Sequence, residues 1–294
     1  MIPTSEWQQR AQNHRDRFET LTAEWREYRE RKEKHPVLDF LFSYYNLKPN
    51  RLRLWSPGPE VILEGPLNNE KLFGYYTEND NSSFSLDASR YPATRIKAFQ
   101  WNLELLRKTV TNTPVFNCHG LHEWCMIYQS DNIRHEQLEL RADRETINDF
   151  VENTPCQCTH FDAFRFFTPE ATPMIKHPLT RENQADYEQS GCLHANMDLY
   201  KWAYKIFPFI EGDLLMDCFE LAIQCRLLDM KASPYDISAY NNDAIRVETP
   251  EGREEYIREQ HRLKKVADPI RERLIGAYEK IVSLCQAKLD AEQV

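Results

Sequence analysis

Glycine is scarce in this chain, with only eight in 294 residues. Left-handed backbone and tight loops draw on glycine, as do phosphate cradles at helix N-termini. The shortage therefore disfavours an all-β chain and a Gly-rich phosphate loop. Long apolar runs are missing too. No stretch approaches the roughly 20 residues that span a bilayer. Met1-Ile2-Pro3-Thr4-Ser5-Glu6 lacks the apolar segment of a secretory signal. The expectation is a cytoplasmic protein with no membrane partner and eight reduced cysteines. No Cys-x-x-Cys pair occurs, and Cys156-Gln157-Cys158 is the one close cysteine pair, so a Cys₄ zinc site is disfavoured. No Ser or Cys sits in a nucleophile elbow. Cationic excess is absent as well: the net charge is −9 and the pI near 5.6. Coating duplex DNA depends on neutralising phosphates, so duplex DNA is disfavoured as a partner, although net charge leaves a local basic groove open.

What is present is apolar and aromatic: 41% hydrophobic residues and 12% Phe, Trp and Tyr, enough for a sizeable core. The chain reads as mainly α, a single helical domain over 1–294 with long terminal helices and a few short strands. In the N-terminal segment 1–34, Trp7, Ala11, His14, Phe18, Leu21, Trp25 and Tyr28 alternate spacings of 4 and 3. That narrow seam of period 3.5 predicts one long helix over 5–34 packed along another. His14 on this seam reads as a packing residue. Pro36 fits the first turn of the next helix, and His35 and Asp39 can bond at i, i+4, as a local cap or as site residues. Residues 48–95 read as irregular and wrapping, with short strands at Val61–Leu63 and Phe73–Thr77. Helices are predicted over 93–108, 144–153 and 213–230, with strands at 135–141 and 244–249 and a surface loop over 168–191. The C-terminal segment 251–290 repeats Tyr256, Gln260, Leu263, Ala267, Ile270, Leu274, Ala277, Ile281 and Leu284. Asp268-Pro269 inside it predicts two helices or a kink. Two seams at the chain's ends predict that the terminal helices pack together or pair across a homodimer.

Three segments carry chemistry. Asn117-Cys118-His119-Gly120-Leu121-His122-Glu123-Trp124 places two imidazoles three apart, on one face if helical. Cys156, Cys158, His160 and Asp162 alternate, so an extended chain puts them on one side. His194 and Asp198 share a helix face. Arg165, set among Phe164, Phe166 and Phe167, reads as a buried charge that needs an anion, internal or from a substrate. Imidazoles with carboxylates suit Zn²⁺ or Fe²⁺. The leading reading is therefore an enzyme with a mononuclear divalent metal (Fe or Zn) and a small polar or anionic substrate. His119, His122, His160 and His194 are its candidate ligands, Glu123, Asp162 and Asp198 its acid–base groups or ligands, and Arg165 its anion clamp. Two alternatives stand beside it. One is a metal-free site in which Asp162 or Asp198 is base or nucleophile. The other is a structural polar network in an aromatic core, as in a non-enzymatic partner-binding protein.

Several longer stretches resemble a bacterial family commonly labelled 3-methyladenine DNA glycosylase. They are the 35–45 segment from His35 to Tyr45, Gly120-Leu121-His122-Glu123-Trp124, the 158–169 segment from Cys158 to Pro169, Gly191-Cys192-Leu193-His194-Ala195 with the 197–202 segment, and the 228–236 segment from Leu228 to Asp236. The likeness covers about 35–275. It implies release of a nucleobase, with Asp162 or Asp198 stabilising the oxocarbenium-like transition state and Trp124, Phe164 or Trp202 stacking on a flipped base. The chain lacks a Leu-Pro-Gly-x-Gly-like hairpin, so a free nucleoside enters as a substrate beside alkylated DNA.

Overall fold

The computed structural model of the protein describes residues 1–35, 37–65, 73–79, 82–240 and 242–293. Pro36, Pro66 and Asp80-Asn81 lie outside the described residues. The chain is mainly α, 59% helical, with twelve α-helices and one small sheet among the described residues. In order these are α1 Thr4–Leu21, α2 Ala23–Glu30, α3 Leu38–Ser43, α4 Pro49–Leu52, β1 Ile62–Glu64, β2 Tyr76–Asn79, β3 Ser83–Leu86, α5 Ile96–Thr111, α6 Leu121–Cys125, α7 Arg144–Asn153, α8 Phe161–Phe164, α9 Gln184–Tyr187, α10 Leu193–Ile206, α11 Gly212–Ala232 and α12 Pro250–Glu292. The residues divide into two compact units, and α5, α10, α11 and α12 each contribute to both. No helix among the described residues is long and apolar enough to cross a membrane.

The first unit comprises Met1–Leu106, Leu199–Glu220 and Ile270–Val294. The predicted 5–34 helix is broken at Thr22, whose hydroxyl donates to Phe18 O at 2.7 Å, so α1 ends and α2 begins there. Trp7, Ala11, His14 and Phe18 are buried as the seam requires, while Trp25 and Tyr28 are only half-buried. His14 is a packing residue, its Nε2 bonding Leu52 O at 2.9 Å. His35 and Asp39 form a local cap: His35 N donates to Asp39 Oδ2 at 2.8 Å, and His35 Nδ1 accepts from Val37 N and Leu38 N. The antiparallel sheet has the order β1-β3-β2, with Leu63 opposite Phe84 and Thr77 opposite Ser85. β3 carried no sequence prediction. Trp7, Ala11, Trp55, Leu63 and Phe84 form a core cluster against which the sheet packs. Asp217 accepts from Arg17 (2.8 Å) and Arg273 (2.6 Å), joining α1, α11 and α12 through one carboxylate.

The second unit comprises Arg107–Asp198 and Leu221–Pro269. α7 forms as predicted, capped by Asp143 accepting from Thr146 N at 2.8 Å. Neither predicted strand in this unit forms. Residues 135–141 make a single bridge, Leu140 to Tyr235, and 244–249 make none. Each segment is instead tied by side chains: Arg141 donates to Ser233 O and to both oxygens of Glu248. The predicted 168–191 surface loop is corrected as well. It contains α9, and Gln184, Glu188, Gln189 and Ser190 are buried.

α12 is one helix through Pro269. Tyr256, Gln260, Leu263, Ala267, Ile270, Leu274 and Ile281 are buried as the 3.5-residue seam predicts, but Tyr278 and Cys285 take the buried places expected of Ala277 and Leu284. A helix of 3.6 residues per turn drifts off a strict heptad by about 20° per repeat, which accounts for these one-residue shifts.

Candidate metal centre

His119 and His122 do not share a helix face. His119 (φ +48°) and Gly120 (φ +68°) are both left-handed, and α6 starts only at Leu121, whose N donates to Cys118 O at 2.9 Å. A Cβ at Gly120 would come within 3.0 Å of Ala232 Cβ, so the turn is pressed against the end of α11. All five residues of α6 are buried. Trp124 fixes it by donating to Ala232 O at 2.9 Å, with Phe150 packed 4.7 Å from its ring. The indole is therefore fully buried.

This turn directs His122 at α11. His122 Nε2 stands 2.7 Å from Asp229 Oδ1, both atoms buried. His194, in the first turn of α10, sets its ring edge-on to His122 at 4.3 Å and its Nε2 3.9 Å from Asp229 Oδ2. Asp229 also accepts from Arg226, one turn back on α11, and Arg226 donates to Glu123 Oε1 at 2.7 Å and to His135 Nε2 at 3.0 Å. Asp229 and Arg226 are completely buried, and Glu123 nearly so. Two carboxylates thus share one guanidinium inside the unit.

The electrostatics follow. Burial alone pulls the His122 pKa down, but Asp229 beside it outweighs burial and holds it above the usual range. Burial, with His122 next to it, pushes His194 down to about 3, so this imidazole is neutral. Burial would raise both carboxylates. Arg226 and His135 instead hold Glu123 well below its usual value, and His122 and Arg226 hold Asp229 down.

His160 ends an extended stretch before α8. The Cys156–His160 strand-like run places Cys156, Cys158 and His160 inside as predicted, with Cys156 bridged to Ile175. Asp162 is buried from the first turn of α8. His160 stacks on the His194 ring at 5.4 Å, its Nδ1 3.2 Å from Glu188 Oε2 and its Nε2 3.7 Å from Asp198 Oδ2. Burial lowers its pKa, and Glu188 and Asp198 more than reverse that. Gln184 donates to Glu188 at 2.8 Å.

Among the described residues, two groups of side chains therefore have the spacing to hold a metal ion: His122, His194 and Asp229, and His160, Asp162 and Asp198, the ligand atoms of each lying within 4.8 Å of one another. Of the candidate ligands, His122, His160 and His194 are brought together, while His119 belongs to neither group. Glu123 backs the first group through Arg226. Arg165 is not buried: its side chain is 48% exposed, lies 3.6 Å from Asp162 and covers the Phe166 ring. The Phe166 ring lies beneath it without enclosing it, so the expected anion clamp is a surface cation. Within this unit Arg226 is completely buried, and it was not among the candidate residues. Asp229, His135 and Glu188 were also missed. Gln184 and Glu188 at i, i+4 were an available signal, whereas the i, i+3 spacing of Arg226 and Asp229 is shared by another polar pair of α11. All eight cysteines are free thiols, seven of them buried.

No protein-family model, curated protein or solved structure matches this chain.

Proposed function

We propose that the second unit is a metal-dependent enzyme whose cation is held by His122, His194 and Asp229. The observation that carries this reading is the cluster itself: His122, His194 and Asp229 each offer one ligand atom within 4.8 Å of the others, with His122 Nε2 and Asp229 Oδ1 buried 2.7 Å apart. A buried imidazole and carboxylate held this close, with a neutral imidazole beside them, present three donor atoms within reach of one cation. Two imidazoles and one carboxylate are a donor set of non-haem Fe²⁺ and of catalytic Zn²⁺. Such a cation polarises a substrate oxygen and offsets developing negative charge.

The chain's own residues do the rest. Arg226 orients Asp229 by binding one of its carboxylate oxygens, as hydrogen-bond donors behind a metal's ligands do. Glu123 and His135 keep Arg226 in place. Only the His194 and His135 side chains reach solvent appreciably (13% and 17% exposed). A substrate therefore approaches past those two edges, which suits a small polar molecule.

Elemental analysis of purified, untagged protein tests this reading. We expect Fe or Zn in the wild type and loss of that equivalent in Asp229→Asn and His122→Ala. A folded, metal-free wild type overturns it. Assays of base release from nucleosides and alkylated DNA would then test the metal-free N-glycosylase reading suggested by the family resemblance.

A further inference from the structure

We propose that His160, Asp162 and Asp198 form a second divalent-cation position, so that the centre is dinuclear, with His194 lying between its two halves. This inference rests on the first position being a metal site. The His194 ring is edge-on to His122 at 4.3 Å and stacked on His160 at 5.4 Å, so the two ligand groups are neighbours. Each group closes on its own ligand atoms within 4.8 Å.

Three features make the second group a built site. His160 is 1% exposed, Asp198 1% and Asp162 4%, so all three donor groups face the interior. His160 is oriented as a ligand: Nδ1 faces Glu188, itself fixed by Gln184, which leaves Nε2 directed at Asp198. A carboxylate behind the far nitrogen of a histidine is the usual outer-shell arrangement at metal sites. Asp162 is pinned from outside, because Arg165 and Arg181 both approach the same oxygen, Oδ1. One imidazole and two carboxylates form a harder donor set than the first position, suited to Mn²⁺, Fe²⁺ or Zn²⁺. Paired cations clamp two oxygens of one substrate, which narrows the substrate class to molecules presenting two adjacent oxygens, such as a phosphoryl or carboxyl group.

The test is reconstitution of the metal-stripped full chain with Zn²⁺, followed by elemental analysis and by titration with Mn²⁺ under electron paramagnetic resonance. We expect about two equivalents in the wild type and about one in each of Asp198→Asn and Asp229→Asn. The wild-type Mn²⁺ signal should show coupling between neighbouring ions, lost in both variants. Glu188→Gln, which keeps every proposed ligand, should weaken only one equivalent, by about 10–100-fold. One equivalent in the wild type, retained in Asp198→Asn and lost in Asp229→Asn, overturns the second position and leaves the first standing. No equivalent in a folded wild type overturns both.

Discussion

At the scale of single residues, the decisive group is Arg226, fully buried between Asp229, Glu123 and His135. Removing one partner of a buried ionic network leaves uncompensated charge inside, typically costing about 3–5 kcal/mol. Arg226→Met should therefore destabilise the protein by that order in denaturant titrations, and a cost near zero would mean that water already reaches these carboxylates. Glu123→Gln should cost less, because its amide oxygen still accepts from Arg226. A second residue-scale test lies in the first unit. Burial holds His14 below its usual pKa despite its bond to Leu52 O. The unfolded chain then binds a proton that the folded one refuses, so stability is complete above pH 6.5 and declines as the pH falls. His14→Gln should flatten that acid limb, read as a smaller difference between denaturation midpoints at pH 7 and pH 5.

At the scale of elements, the left-handed turn before α6 aims the first ligand. Gly120 combines φ +68° with a Cβ position 3.0 Å from Ala232 Cβ, so Gly120→Ala meets both backbone strain and crowding. A cost of about 1–3 kcal/mol is expected, with weaker metal retention because His122 is two residues on. Unchanged stability and metal content would show that the turn can relax. α12 illustrates what local patterns report well. Its seam was legible to Leu274 and again at Ile281, with Tyr278 and Cys285 replacing Ala277 and Leu284, because a straight helix does not keep a 3.5-residue period. The short elements were less legible. β3, α8 and α9 are four residues each, too short for a periodicity to register, and 135–141 resembled a strand while forming a single bridge.

At the scale of the whole molecule, a cation bound only by the folded chain adds stability by mass action. The gain is about 2.7 kcal/mol at a free concentration a hundred times Kd. Adding Zn²⁺ to the stripped protein should raise Tm, and the rise should vanish in Asp229→Asn. Protons compete with metal for His122, whose pKa Asp229 raises. The Zn²⁺-induced rise should therefore shrink as the pH is lowered from 8 to 6; a rise that grew on acidification would exclude His122 as a ligand.

The sequence by itself determined the helical class, the positions of α5, α7, α11 and most of α12, and the three segments that supply His122, His160 and His194. Each of these is a local signal, a periodicity or a spacing confined to one stretch of chain. Asp229 and Arg226 are a different matter. They meet His122 and Glu123 across more than a hundred residues, as the 103-residue separation of Glu123 and Arg226 illustrates, and nothing in α11 alone distinguishes them from other polar positions on an apolar helix. Arg165 shows the converse: its aromatic neighbours suggested burial, but packing left it at the surface. Local sequence records which side chains resemble interior ones. Which interior faces meet, and hence which carboxylate faces which imidazole, was decided only when tertiary packing brought α6, α10, α11 and the Cys156–His160 run together.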